Sequence, residues 1–311
     1  MLAIVAPGQG AQTPGFLSPW LADPDFGDRL EWLSAVSGMD LRHYGTDADA
    51  ETIRDTAVAQ PLLVAAGLLA ARELFPHPDE AFPLIGVVAG HSVGEITAAT
   101  GVGVLSPEQA MVLVRERGRS MAAASATTPT SMTAVVGGKP DEVLAAIVRA
   151  GLTPANNNGA GQVVAAGTKD QLAALAADPP ARARLIDLSV AGAFHTVHMQ
   201  PAVDRLAELS RGISTRQPRT KLLSNADGHV VEDGPEVLRR IISQVANPVR
   251  WDLCMETMAD LGVTGLLELP PAGTLTGIAK RNLKGVELFS LNTPDQLPEA
   301  AEFASNHGSR G

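Results

Sequence analysis

The chain has 311 residues, 45% hydrophobic and 19% charged, with a formal net charge of −10 at neutral pH. That is the composition of a globular protein long enough to bury a sizeable core, and the acid excess argues against general nucleic-acid binding, which needs a basic face. Cys254 is the only cysteine, so a disulfide framework and a thiolate metal cluster are excluded and a reducing, cytoplasmic compartment is expected. No uninterrupted apolar run approaches a membrane span, and MLAIVAPGQG lacks the basic region and long apolar core of a signal peptide. The sequence therefore predicts a protein in solution with no membrane contact.

In chain order, LAIVA at 2–6 reads as a buried strand and is followed by Gly8-Gln9-Gly10, a turn able to bring a backbone N–H close to another group. It has no third spaced glycine and no P-loop lysine, which argues against a nucleotide site. AVAQPLLVAAGLLAARELF at 57–75 has helical apolar spacing, and LIGVVAG at 84–90 is a second buried strand. That strand runs into Gly90-His91-Ser92-Val93-Gly94. Gly-x-Ser-x-Gly between a strand and a helix is the pattern of a nucleophile elbow, which exposes Ser92 Oγ beside the first N–H groups of the new helix. A plain glycine turn has the same letters, so the remaining chain must decide between them.

SPEQAMVLVRERGRSMAAA at 106–124 opens a helix, with Ser106 as N-cap, Pro107 in the first position and Gln109 completing a capping box. Ala110, Val114, Arg117 and Met121 share one face of it, with Leu113 alongside, whereas Arg115 and Arg119 project from the other side. An interior guanidinium needs an anion. The choices are an internal Asp or Glu, a rim position reached by snorkelling, or a substrate carboxylate held bidentately.

After the polar join ATTPTS at 126–131 the texture changes to strand, helix, strand, helix, strand: SMTAVVGG, PDEVLAAIVRAG, GQVVAAG, TKDQLAALAA and ARLIDLSV. With a further strand near the asparagines at 156–158, this predicts a small ferredoxin-like α+β insert. Helices near 199–211 and 234–245, the strand VTGLLEL and a last helix TLTGIAKRNL complete the pattern. The alternation predicts an α/β fold with a mainly parallel sheet. Residues 1–127 and 195–303 form one large discontinuous domain on this reading and 128–194 the subdomain, while ASNHGSRG at 304–311 is a disordered tail outside the fold.

A serine nucleophile needs a base. His91 neighbours Ser92, but successive side chains on a tight turn diverge, so it is expected to line the pocket. His195 and His198, in GAFHTVHM, follow the insert and enter the cleft between the two parts. Their spacing permits a shared metal, but no third ligand is evident; His195 is preferred because Phe194 can anchor its loop. Glu95, Asp170 and Asp187 are candidates for an acidic third member, and none stands out.

PGQGAQ at 7–12, GHSVGE at 90–95, Arg117 in RERGRSM, NNNGAGQVV at 156–164, AFH at 193–195, SNADG at 224–228 and NPVRW at 247–251 occur in one order. With these motifs the chain closely resembles malonyl-CoA:acyl carrier protein transacylases over almost its whole length. The resemblance implies an α/β-hydrolase-like core interrupted by the ferredoxin-like subdomain. It implies a malonyl ester on Ser92, His195 as general base and then acid, and an oxyanion hole from the backbone N–H groups of Gln9 and Val93. Arg117 would hold the malonyl carboxylate, and Gln60, His91, Asn158, Gln162 and Phe194 would line the pocket. Phe194 would fill the space that an α-methyl group needs.

A backbone carbonyl in NPVRW, at Arg250, would orient His195 in place of an acid. The implied partners are malonyl-CoA and the phosphopantetheine thiol of an acyl carrier protein, with a monomeric enzyme, no metal and no cofactor. Arg211, Arg216, Arg219 and Lys221 in one stretch, or Lys280, Arg281 and Lys284 in another, would dock the acidic carrier. Asn158-Gly159-Ala160 and the LPPAG stretch near 270 depart from the family pattern; the first would alter pocket shape, and the second is expected to lie remote from the chemistry. The rival readings are a serine esterase or thioesterase, which would want an apolar pocket and an acid, and a docking subunit with a degenerate site.

Overall fold

The computed structural model describes residues 1–308. Its strands, in chain order, are β1 (Leu2–Ala6), β2 (Ile85–Gly90), β3 (Thr130–Gly137), β4 (Thr153–Asn157), β5 (Gln162–Thr168), β6 (Ala183–Asp187), β7 (Lys221–Leu222), β8 (Val249–Arg250), β9 (Gly265–Glu268) and β10 (Glu287–Ser290). One sheet has the order β10-β9-β1-β2-β7 with every neighbour pair parallel. β1 is buried along all five residues, as an all-apolar strand covered on both faces must be. From β1 the chain moves first to β2 and β7 on one side, and later to β9 and β10 on the other. Such a reversal of strand order opens a crevice at the carboxyl ends of the strands, where ligands bind.

The second sheet, β6-β3-β5-β4-β8, is built by the βαββαβ run from 130 to 187, antiparallel in the ferredoxin-like order, with β8 added in parallel at the β4 edge. Alternation along β3 and β5 sends Val135, Val163 and Ala165 to the helices Pro140–Arg149 and Lys169–Ala177, and sends Met132, Ala134 and Val164 to the main core. Both faces of this sheet are therefore covered. The asparagine strand expected near 156–158 is β4, and the predicted α/β fold with its insert is the observed one.

The helix Thr56–Leu74 packs along Pro107–Ser125, whose capping box is formed by reciprocal Ser106 and Gln109 bonds of 3.2 and 2.9 Å. Contrary to the expectation from the sequence, Thr56–Leu74 is long and apolar enough to cross a membrane, and 67% of that window is buried inside the protein. Such a run is apolar all round because neighbouring helices and the sheet surround it.

Several elements differ from the reading of the sequence. The expected tail is ordered as far as Gly308: the helix Leu297–His307 buries Ala300 and Ala304, and the His307 ring lies 4.6 Å from that of Phe303. Thr274–Asn282 is therefore not the last helix; residues 309–311 lie outside the described residues. The helices Pro24–Ser37 and Trp251–Asp260, and the two-residue strands β7 and β8, were not legible. Two residues carry no periodicity.

Gly90 and Gly94 are glycines because of close approach. A Cβ on Gly90 would fall on the Gly94 carbonyl, and one on Gly94 would fall on the Ala6 and Pro7 carbonyl oxygens. We expect Gly94→Ala to shift the turn between β2 and the next helix at a cost of about 1–3 kcal/mol. A thermal melt would then show Tm lowered by several degrees; an unchanged melt would show that the turn tolerates the methyl group.

Candidate active site

The turn between β2 and the helix Gly94–Gly101 holds Ser92 at φ 54°, and the loop after the insert holds His195 at φ 60°. Left-handed backbone at a residue other than glycine costs about 1–3 kcal/mol, and it persists only where the surroundings over-determine it. They do so here. Asn225 accepts the Ser92 N–H at Oδ1 (2.9 Å) and donates from Nδ2 to the Gly90 carbonyl (2.8 Å), while the His195 N–H is bound by the Val245 carbonyl (3.1 Å).

This places Ser92 Oγ 2.9 Å from His195 Nε2, and His195 Nδ1 2.7 Å from the backbone carbonyl of Gln244. A carbonyl only accepts, so Nδ1 carries the proton and Nε2 is the free base facing the hydroxyl. The orienting carbonyl is thus Gln244, not Arg250. The Arg250 side chain instead pairs with Asp252 (2.9 and 2.7 Å) and its N–H binds the Asn225 carbonyl (2.8 Å), tying β8 to the body. Gln244 ends the helix Gly234–Gln244, and the last turn of a helix has carbonyls left for partners outside it. None of the three acids weighed for the triad contacts His195: Asp187 accepts from Thr133 Oγ1 (2.8 Å), Asp170 lies in the first turn of Lys169–Ala177, and Glu95 bonds Asn225 and Gln244. His198 donates its backbone N–H to Thr196 Oγ1 and does not line the cavity.

Arg117 is 1% exposed, and its guanidinium donates to Gln60 Oε1 (2.7 Å), Gln244 Oε1 (3.0 Å) and, at 3.4 Å, Ser92 Oγ. Its Nε is buried without a partner among the described residues. Of the alternatives open to an interior arginine, neither the rim nor a direct bond to an internal carboxylate is realised. Burial, opposed by the charge of Glu95, holds its pKa down at about 10, so it remains a cation at neutral pH. Burial foremost, and then the Arg117 charge, hold the His195 imidazole at about 3, far below its ordinary range.

A cavity of about 400 Å³ opens over Ser92 between the two sheets. Gln9, Gln60, His91, Asn158, Gln162, Phe194 and His195 all line it, together with Met132, Ala134 and Val164 from the insert. His91 Nε2 meets Asn158 Oδ1 at 3.0 Å and its ring sits edge-on to Trp251, and burial pushes its pKa down. Gln162 Oε1 accepts from Arg281 (3.2 Å). The backbone N–H groups of Gln9 and Val93 have no acceptor among the described residues and are free to donate to an incoming group.

The stretch expected to be remote from the chemistry is not remote: Gly273 and Thr274, which follow β9, line the same cavity. Their loop is held there by Glu268, whose buried carboxylate accepts the N–H groups of Gly273, Leu275 and Thr276 at 2.8–2.9 Å. Sequence reasoning also missed Gln244 and Asn225. Asn225 stands in SNADG, a motif with no assigned task, and Gln244 had no signal at all.

The acyl transferase domain family matches residues 4–296. Curated malonyl CoA-acyl carrier protein transacylases from Mycobacterium tuberculosis and Escherichia coli are 49% and 32% identical to the chain over 97% of it, spanning 100% and 99% of their own lengths. The crystal structure of MCAT from Mycobacterium tuberculosis superposes with TM-score 0.92 at 48% identity, covering 97% of this chain and 99% of that one. A malonyl-transacylase solved with a type II polyketide synthase acyl-carrier protein superposes with TM-score 0.89 at 30% identity, covering 97% and 99%. The fold, the serine–histidine pair and these likenesses agree, and the chain belongs to the malonyl-CoA:acyl carrier protein transacylase family of acyl transferase domains.

Proposed function

We propose that the protein moves a malonyl group from malonyl-CoA to the phosphopantetheine thiol of an acyl carrier protein through an ester on Ser92. His195 Nε2 takes the Ser92 proton as Oγ attacks the thioester carbonyl, and the Gln244 carbonyl steadies the imidazolium through Nδ1–H. The N–H groups of Gln9 and Val93 receive the oxyanion; losing one such donor costs about 3 kcal/mol in related chemistry. The intermediate collapses and the departing coenzyme A thiolate takes the proton from His195. In the second half the carrier thiol gives its proton to His195 and attacks the ester, and Ser92 Oγ leaves with that proton. No cofactor enters either half, because the thioester already carries the activation.

The observation that carries this reading is Arg117. Its buried guanidinium reaches the nucleophile yet donates to neutral groups alone. A malonyl carboxylate would complete it with a charge-assisted bidentate pair, whereas an acetyl group would leave the cation unmatched. An esterase has no use for such a cation. The acidic carrier is assigned to the stretch with Lys280, Arg281 and Lys284, since Arg281 lines the cavity, whereas Arg219 of the other cluster pairs with Asp79 and covers the Phe82 ring at 4.1 Å. We read the enzyme as monomeric by its resemblance to the family, and the single, buried cysteine fits a reducing, cytoplasmic setting.

With radiolabelled malonyl-CoA we expect stable label on Ser92, released to a carrier thiol and not to water; rapid release to water would make the protein a hydrolase. Arg117→Ala should cut malonyl transfer by two or more orders of magnitude, roughly 3 kcal/mol for a lost charge-assisted pair, while sparing acetyl transfer. An equal loss with both substrates would remove Arg117 from substrate recognition. The same variant should also move the acid limb of kcat/KM, followed with acetyl-CoA, to higher pH. The cation disfavours the imidazolium of His195, so its removal raises that pKa; an unmoved limb would mean that the two groups do not interact. Lys280→Glu with Lys284→Glu should raise KM for the carrier far more than KM for malonyl-CoA, and equal effects would place the docking surface elsewhere.

A further inference from the structure

Glu95 is the acid beneath the site that the mechanism leaves unused. It lies on the helix Gly94–Gly101, is 4% exposed, and stands one amide away from Arg117. Its Oε1 accepts the Asn225 N–H and its Oε2 accepts Gln244 Nε2, both at 2.6 Å. The same Gln244 nitrogen also faces the Ser92 carbonyl (3.2 Å) and Asn225 Oδ1 (2.9 Å), which leaves Gln244 Oε1 to accept from Arg117 at 3.0 Å.

The direction of that amide matters. Turned over, it would aim its N–H groups at a guanidinium that has nothing to accept with, and its oxygen at Glu95, which has nothing to donate with once ionised. Burial raises the Glu95 pKa to about 8, so this second penalty is complete above that pH. The Glu95 carboxylate thus joins the Ser92 carbonyl and Asn225 Oδ1 in fixing which end of Gln244 the arginine meets, and at 2.6 Å it makes the shortest of the three contacts. Gln244 has two separable duties: its backbone carbonyl holds His195, and its side chain holds Arg117.

We propose that Glu95 is a positioning residue for malonyl selectivity, locking the Gln244 side-chain amide so that the Arg117 guanidinium stays aimed at the substrate carboxylate. This rests on the reading that Arg117 binds that carboxylate. It assigns to the glutamate of GHSVGE an electrostatic task two residues removed from the substrate, through the Gln244 amide and Arg117.

The test is Glu95→Gln in the full-length protein, assayed above pH 8 where wild-type Glu95 is the anion, with malonyl-CoA and acetyl-CoA as donors and a pantetheine thiol as acceptor. Glutamine matches the shape, but it brings one oxygen and one NH2 to the Asn225 N–H and the Gln244 amide, so its own NH2 must face one of those N–H groups or turn the Gln244 amide over. We expect the malonyl-to-acetyl ratio of kcat/KM to fall by about tenfold or more, equivalent to about 1.4 kcal/mol, chiefly through a higher KM for malonyl-CoA. Parallel losses with both donors, or an unchanged ratio, overturn the proposal, because a merely structural role lowers both together. If Glu95→Gln does not give a cooperative melt, Gln244→Met cuts the relay from the other end and keeps the backbone carbonyl. The same fall in ratio is expected there, and a constant ratio overturns the proposal. Arg117→Ala run alongside separates the two levels: a ratio that collapses there but not in the Glu95 and Gln244 variants removes this inference alone, and a ratio that survives in Arg117→Ala removes the parent reading with it.

Discussion

The site depends on one buried cation. A guanidinium taken out of water loses several kcal/mol of solvation unless fixed dipoles or an anion replace it. Around Arg117 the replacement is partial: two amide oxygens and a serine hydroxyl accept from it, Glu95 acts through one of those amides, and the Nε–H is left without a partner among the described residues. The protein thereby holds a charge that is tolerated when the cavity is empty of anions and better satisfied when a carboxylate arrives. On the proposed reading, selectivity for a diacid half-thioester follows from that imbalance, since a monoacyl group offers nothing to the cation.

The same groups also hold the nucleophile and base in strained geometry. Ser92 and His195 both adopt left-handed backbone, and each is pinned by partners distant in sequence: Asn225 for the serine, and the carbonyls of Gln244 and Val245 for the histidine. A neutral carbonyl, in place of the acid of a hydrolase triad, fixes the imidazole tautomer without placing an anion next to the arginine. An acid there would compete with the substrate for Arg117. The absence of a triad acid from contact with His195 and the presence of the buried arginine are thus two sides of one electrostatic arrangement.

The insert supplies the other wall. Met132, Ala134 and Val164 present its sheet face to the cavity, and Phe194 lies where the chain leaves it, immediately before the base. β8 joins this sheet from far along the chain, and Arg250 and Asn157 both bind Asp252 there, so that the two halves of the cleft are stitched beside the site. A cleft closed in this way keeps its lining groups at fixed separation, which the short Ser92–His195 and His195–Gln244 contacts require.

Much of this was written in local sequence. The elbow, the capping box at Ser106, the arginine on the apolar stripe and the βαββαβ rhythm each depend on residues within a turn or two of one another, and spacing alone carries them. The resemblance of ordered motifs added the pocket residues, all of which meet in one cavity. What tertiary structure alone decided was which distant groups would serve these local devices. Arg250 was expected where Gln244 acts, because a backbone carbonyl is the same in every residue and only a helix end delivered to the right place makes one special. Likewise nothing in LPPAG announces that β9 ends beside β1 and brings Gly273 into the cavity, nor does anything in GHSVGE say that its glutamate faces inward beneath an arginine. A side chain's chemistry is read from the sequence. Its partner, when a hundred residues away, is fixed only by how the sheets and helices come together.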